Sequence, residues 1–187
     1  MIRITELLGA VITIIIIASC GSDDLDQTET QSGLNGEWTA VSFTTDIRSE
    51  VGNEIEMTTT QSSVQGYNFD YNLVIDDNNW TTDGNYETEI SAQTNGVVTG
   101  STTQSYTNIN SHGSYIKNNN NITLVGNLFE YEMSGLGMTV LNNDNLSATY
   151  EINADGELIF TQEETAQSSM NGMTIRTTIQ SRSVWIR

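Results

Sequence analysis

The feature that most constrains this chain is an alternation of apolar and polar side chains with period two, recurring from residue 37 almost to residue 187. In Tyr67-Asn68-Phe69-Asp70-Tyr71-Asn72-Leu73-Val74-Ile75, the residues Tyr67, Phe69, Tyr71, Leu73 and Ile75 share one face, and the other face is mostly polar. That period fits a half-buried antiparallel strand rather than a helix. The same pattern appears in Tyr86/Thr88/Ile90, in Leu146/Ala148/Tyr150/Ile152, and in Met173/Ile175/Thr177/Ile179 running on toward Trp185. Further strands are expected at 37–46, 54–64, 97–106, 112–117, 122–126, 128–133 and 157–165.

Turn-forming clusters separate these segments: Asp76-Asp77-Asn78-Asn79, Asp83-Gly84, Asn95-Gly96, Asn118 to Asn121, Asn142 to Asn145, Asp155-Gly156 and Asn171-Gly172. Asn-Gly and Asp-Gly pairs accept the positive φ that two-residue hairpin turns need, so many links are expected to be tight hairpins. No stretch shows a 3.6-residue period. Many short strands with one polar and one apolar face indicate an all-β domain, either an up-and-down barrel or a sandwich. A barrel also removes the exposed edges that such a strand-rich chain otherwise presents.

Composition bounds the partners. The formal net charge is -18, and removal of a leader carrying Arg3 and Glu6 leaves it unchanged. Arg48, Lys117, Arg176, Arg182 and Arg187 are scattered in sequence, so no basic cluster is expected, and nucleic acid and anionic head groups are poor partners. Proline is absent, whereas three tryptophans, seven tyrosines and four phenylalanines are present, which marks a folding chain rather than a disordered one. Nothing in the composition calls for a second domain.

The N-terminal segment carries its own signal. Leu7 to Ala18 is apolar but too short for the ~20 residues that span a bilayer, and Arg3 precedes it, as in a secretory signal. It ends in Ile17-Ala18-Ser19-Cys20-Gly21, and Cys20 is the only cysteine. This end resembles the lipobox of bacterial lipoproteins, which implies a signal peptide over 1–19 and lipidation of Cys20 as the first mature residue. Several acyl chains on one residue give a durable anchor where one chain does not. The alternative is an ordinary cleaved signal that leaves a free thiol. The run Gly21-Ser22-Asp23-Asp24-Leu25-Asp26 resembles the acidic export signal of surface lipoproteins of the Bacteroidetes, and it also reads as the start of a polar tether over 20–33. The expected location is the outer membrane, at the cell surface or on the periplasmic face.

The domain over 34–187 opens with Leu34-Asn35-Gly36-Glu37-Trp38, whose Gly36-Glu37-Trp38 matches the Gly-x-Trp of lipocalins. Gly84-Asn85-Tyr86 after an Asp/Asn-rich turn, Gly113-Ser114-Tyr115, and the ending Ser183-Val184-Trp185-Ile186-Arg187 are similar to elements of bacterial lipocalin-like lipoproteins. The resemblance implies a single antiparallel up-and-down barrel in which Trp38 closes the base and a late arginine, Arg182 or Arg187, packs over it. No disulfide pair and no C-terminal helix accompany it here. Fold likeness alone does not carry function.

Chemistry is sparse. His112 is the only histidine and sits in Ser111-His112-Gly113, which reads as a turn, so no Ser-His-Asp set is expected. One histidine and one lipidated cysteine supply no usual zinc set, and neither Asp76 to Asn79 nor Asn142 to Asn145 fits a calcium loop better than a turn. No catalytic residue, metal or cofactor is expected. The soft apolar residues Met133, Leu136 and Met138, and Met170 and Met173, lie beside glycines; they suit either a barrel mouth that lines an apolar ligand or ordinary core filling. Two functions follow as expectations. One is a membrane-anchored barrel that binds a small apolar or amphipathic ligand. The other is a surface interaction lipoprotein, an envelope-complex partner or adhesin, with no ligand cavity.

Overall fold

The structure, a computed structural model, describes residues 33–53, 56–131, 145–170 and 172–187. Gly33–Arg187 form one compact unit. Its strands are β1 (Gly36–Gly52), β2 (Met57–Asp76), β3 (Asn79–Thr94), β4 (Val97–Asn118), β5 (Asn121–Val125), β6 (Asn145–Ile152), β7 (Leu158–Met170) and β8 (Met173–Ile186). Each pairs antiparallel with the next, and β1 pairs with β8, so the sheet is a closed eight-stranded up-and-down barrel. The even strand number lets the first and last strands meet antiparallel. No helix occurs among the described residues.

The turn chemistry places the hairpins. Asp77 and Asn78 take φ of 33° and 77°, and Asn95 and Gly96 take 50° and 81°, the positive values that a tight hairpin matched to strand twist requires. Two expected turns are not turns. Asp83-Gly84 lies inside β3, where the register with β4 shifts between Gly84 and Tyr86. A Cβ on Gly84 would sit 2.0 Å from the Asp70 carbonyl oxygen, so glycine here serves a bulge. Ser111-His112-Gly113 lies inside β4, with His112 opposite Thr81. Consequently 97–106 and 112–117 form one strand, as do most of 54–64 and 67–75.

Bulges also decide which side chains face inward. In β2, Ser62, Val64 and Gly66 are buried before a shift at Asn68, and Tyr71, Leu73 and Ile75 after it. Tyr67 is therefore left out of the core that Tyr71, Leu73 and Ile75 enter. Gly113 faces Trp80: a Cβ there would lie 2.6 Å from Trp80 Cζ2 and 2.0 Å from the Val125 carbonyl oxygen. The strand has to carry glycine so that the buried indole can lie flat against its backbone.

The wall is uneven. β5 and β6 span 5 and 8 residues, against 17, 20, 16 and 22 for β1 to β4. β4 pairs with β5 only over Ser114–Asn118. Beyond this low side the segment 127–131, expected as part of a strand over 128–133, is not a strand; Leu128 and Phe129 are buried in the barrel core.

Replacing Gly113 by alanine is expected to cost about 1–3 kcal/mol through overpacking against Trp80, seen as a lower urea midpoint. Ser114→Ala, one residue along on the exposed outer face, is expected to stay within about 0.5 kcal/mol of wild type.

Candidate functional site

The pole where the chain enters is sealed by Trp38, 1% exposed, at the start of β1. Its Nε1 donates to the Leu34 carbonyl at 3.0 Å, which ties the entering segment to the indole. The Arg187 guanidinium lies 4.4 Å from the centre of the Trp38 ring and donates to the carbonyls of Gly33 and Asn35. Gly36, at φ 141°, packs beneath that guanidinium. Of the two arginines that the lipocalin resemblance offers for this position, the geometry selects Arg187. Gly36 and Trp38 thus act in closing the base, and a cation over an indole adds ~0.5–2 kcal/mol there.

Above this seal the interior is aromatic, and its centre is Phe129. The ring stacks on Phe43 at 4.3 Å between centroids and meets Trp185 at 5.2 Å, Tyr71 at 5.4 Å and Tyr86 edge-on at 5.4 Å. A segment that enters a barrel brings backbone groups that need partners. Two tyrosines supply them. Tyr71 Oη donates to the Leu128 carbonyl at 2.8 Å and is hydrogen-bonded to Thr82 Oγ1 at 2.8 Å. Tyr86 Oη donates to the Glu130 carbonyl at 2.7 Å and accepts from the Glu130 amide at 2.6 Å. Burial pushes the Tyr71 phenol up to about 12 and the Tyr86 and Tyr131 phenols up as well. Tyr131 packs against Ile47 and Ile179, continuing the plug along the axis. Two buried polar atoms, Trp80 Nε1 and Thr88 Oγ1, have no hydrogen-bond partner among the described residues.

Beside the plug the described residues leave little room. The pocket beside the plug, lined in part by Phe43, Leu128, Phe129, Leu146, Ala148 and Phe160, holds about 80 Å³. Ligand pockets for small molecules run to ~300–1,000 Å³. Of the methionines expected to line a mouth, Met173 is 39% exposed at the β7–β8 hairpin, where its backbone pairs with Met170. Met133, Leu136 and Met138 lie outside the described residues, as do Cys20 and residues 142–144. His112 is exposed on β4. Asp77 and Asn78 are the hairpin residues of β2–β3. Among the described residues no three His, Cys, Asp or Glu side chains converge on a metal position.

The outer faces of β2 and β3 are largely polar, whereas Val41, Ile116, Val125 and Ile186 are exposed on β1, β4, β5 and β8. β2 presents Gln61, Ser63 and Gln65, and β3 presents Asp83, Glu87 and Glu89, between the buried positions of the same strands. A barrel wall facing lipid instead shows an apolar band. On this wall the arginines are less scattered than in sequence: Arg48 of β1 and Arg176 of β8 line one groove of about 500 Å³, and Arg182 stands further along β8. The groove escaped sequence reading because its residues, Asp46, Arg48, Glu50, Gln61, Arg176 and Gln180, come from three strands whose register only the closed barrel fixes. Arg48 Nη2 pairs with Glu50 Oε1 at 2.8 Å.

No family model matches the chain, and no curated protein matches it. Among solved structures, the crystal structure of Ail, the attachment invasion locus protein of Yersinia pestis, aligns over 82% of this chain and 100% of its own at 9% identity. The TM-score is 0.22, and a likeness of that size bears on neither fold nor function. The class that the fold defines is a closed eight-stranded barrel whose interior is plugged by Leu128 and Phe129.

The tyrosine bonds set a pH dependence. Unfolded Tyr71 titrates near 10 and folded Tyr71 near 12, so between these values the unfolded chain binds fewer protons and stability falls as pH rises. Tyr86, also shifted upward, acts in the same direction. Urea unfolding is expected to show full stability below pH ~10 and a decline above it. Tyr71→Phe should lower stability by about 1–3 kcal/mol at pH 7, because the Leu128 carbonyl loses its donor, and should make the alkaline decline shallower. An unchanged alkaline slope in this variant would contradict the assignment.

Proposed function

We propose that this chain is a lipid-anchored barrel protein of the bacterial envelope, held to the outer membrane through Cys20, that works from its outer wall as an interaction module. Kinship with bacterial lipocalin-like lipoproteins is part of the reading, supported by the Trp38–Arg187 closure of the base. The observation that carries it is the filled interior. With Phe129 held among Phe43, Tyr71, Tyr86 and Trp185, about 80 Å³ remains beside the plug, well short of a lipid-sized cavity. A ligand carrier needs that space, whereas an interaction module does not. The polar outer faces of β2 and β3 support the same reading, since they suit water and polar partners better than acyl chains. The acidic run Gly21–Asp26 supports display on the outer face of the cell.

The test is mass spectrometry on the full-length protein purified from membranes. The expected first residue is an acylated Cys20, Cys20→Ala should leave the protein in the soluble fraction, and the native protein should carry no stoichiometric cargo. An apolar molecule retained at one copy per barrel would overturn the interaction reading, and an unmodified Cys20 would overturn the anchor.

A further inference from the structure

The outer groove has the volume that the interior lacks, and of its two guanidiniums and two carboxylates only Arg48 and Glu50 form an ion pair among the described residues. It holds about 500 Å³ between β1, β2 and β8. Glu50 lies directly opposite Arg176 across the β1–β8 pairing, yet its carboxylate is bonded to Arg48 of its own strand. Arg176 therefore has no ion-pair partner among the described residues, in a chain with 24 acids and six bases. With Glu50 engaged by Arg48 and no ion pair from Asp46, the guanidinium of Arg176 keeps its planar fork of N–H donors, the group that binds a carboxylate through two parallel hydrogen bonds. Around it stand Gln61 and Gln180, whose amides both donate and accept, and Asp46, which accepts only.

We propose that this groove binds a saccharide bearing a single carboxylate, a uronic-acid residue of an acidic glycan, with the sugar carboxylate on Arg176 and the ring hydroxyls on Gln61, Gln180 and Asp46. The acids beside the arginine choose this class. Asp46 and Glu50 oppose a phosphate or sulfate cluster of higher charge, but Asp46 accepts a hydrogen bond from a sugar hydroxyl. The net charge of -18 likewise repels long polyanions while leaving a monoanionic group to the local field. A second outer groove of about 490 Å³ over β5, β6 and β7 has a single charged residue, Glu163, in its lining and offers no such fork. This inference deepens the reading of the outer wall as the working face and rests on it.

Calorimetric titration of the full-length protein in detergent with an oligogalacturonate tests it, the methyl-esterified oligosaccharide serving as the uncharged comparison. Binding is expected to weaken at least ~10-fold on esterification and at least ~10-fold in Arg176→Ala, the two substitutions removing opposite ends of one charge-assisted pair. Arg176→Lys, which keeps charge without the fork, should recover only part of the loss. Lys117→Ala, distant on β4, should bind as wild type, and thermal unfolding of the variants should match wild type, which excludes a folding defect. Equal binding of the ester, tighter binding of a sulfated saccharide, or no binding of the acidic oligosaccharide overturns the inference. If wild type and Arg176→Ala then recover the same protein partner from solubilised membranes, only the saccharide assignment falls, whereas loss of that partner as well as saccharide binding brings down the reading of the wall.

Discussion

The packing of Phe129 against Phe43, Tyr71, Tyr86 and Trp185 is the interaction on which the rest of this molecule depends. An eight-stranded barrel has an interior about wide enough for side chains to fill. Here β5 and β6 are short, so the sheet alone leaves a low side in the wall. The segment 127–131 turns in at that side, and its central ring occupies the axis. Removing a buried phenylalanine side chain costs ~3–5 kcal/mol, a large part of the 5–15 kcal/mol that holds a typical domain together. The tyrosine hydroxyls make the arrangement affordable in polar terms, because the Leu128 and Glu130 backbone groups would otherwise be buried without partners.

Much of the architecture was legible in the sequence, for a physical reason. Alternation reports which face of a strand is buried, and the Asp77-Asn78 and Asn95-Gly96 pairs report where a chain can reverse. What was not legible came from places where the same signal has two structural meanings. Leu128-Phe129-Glu130-Tyr131 alternates like a strand, but its backbone bonds go to Tyr71 and Tyr86 rather than to a neighbouring strand. Asp83-Gly84 carries turn chemistry but serves a bulge, since a positive φ at glycine suits both. In β2 the shift at Asn68 breaks the apparent single face of Tyr67 to Ile75. That Arg187 rather than Arg182 lies over Trp38 became visible only once β8 had a register.

Filling the barrel has a consequence for function. When the inside is committed to aromatic packing, recognition shifts to the wall, where register brings together residues distant in sequence. Arg48 and Glu50 of β1 and Arg176 of β8 illustrate this: the two strands lie far apart along the chain and meet because β1 closes on β8. The same closure that removes sheet edges also builds the groove. Against the acidity of the chain, Arg176 stands in this groove with no ion pair among the described residues.

The central claim is that residues 127–131 are a fixed part of the barrel interior. Amide hydrogen exchange at Glu130 tests it most directly, because that N–H is bonded to Tyr86 Oη. The account predicts protection comparable to the paired amides of β1 and β8, lost only with global unfolding. Exchange at the rate of an unstructured peptide, while β1 and β8 stay protected, would contradict it and reopen the interior to a ligand.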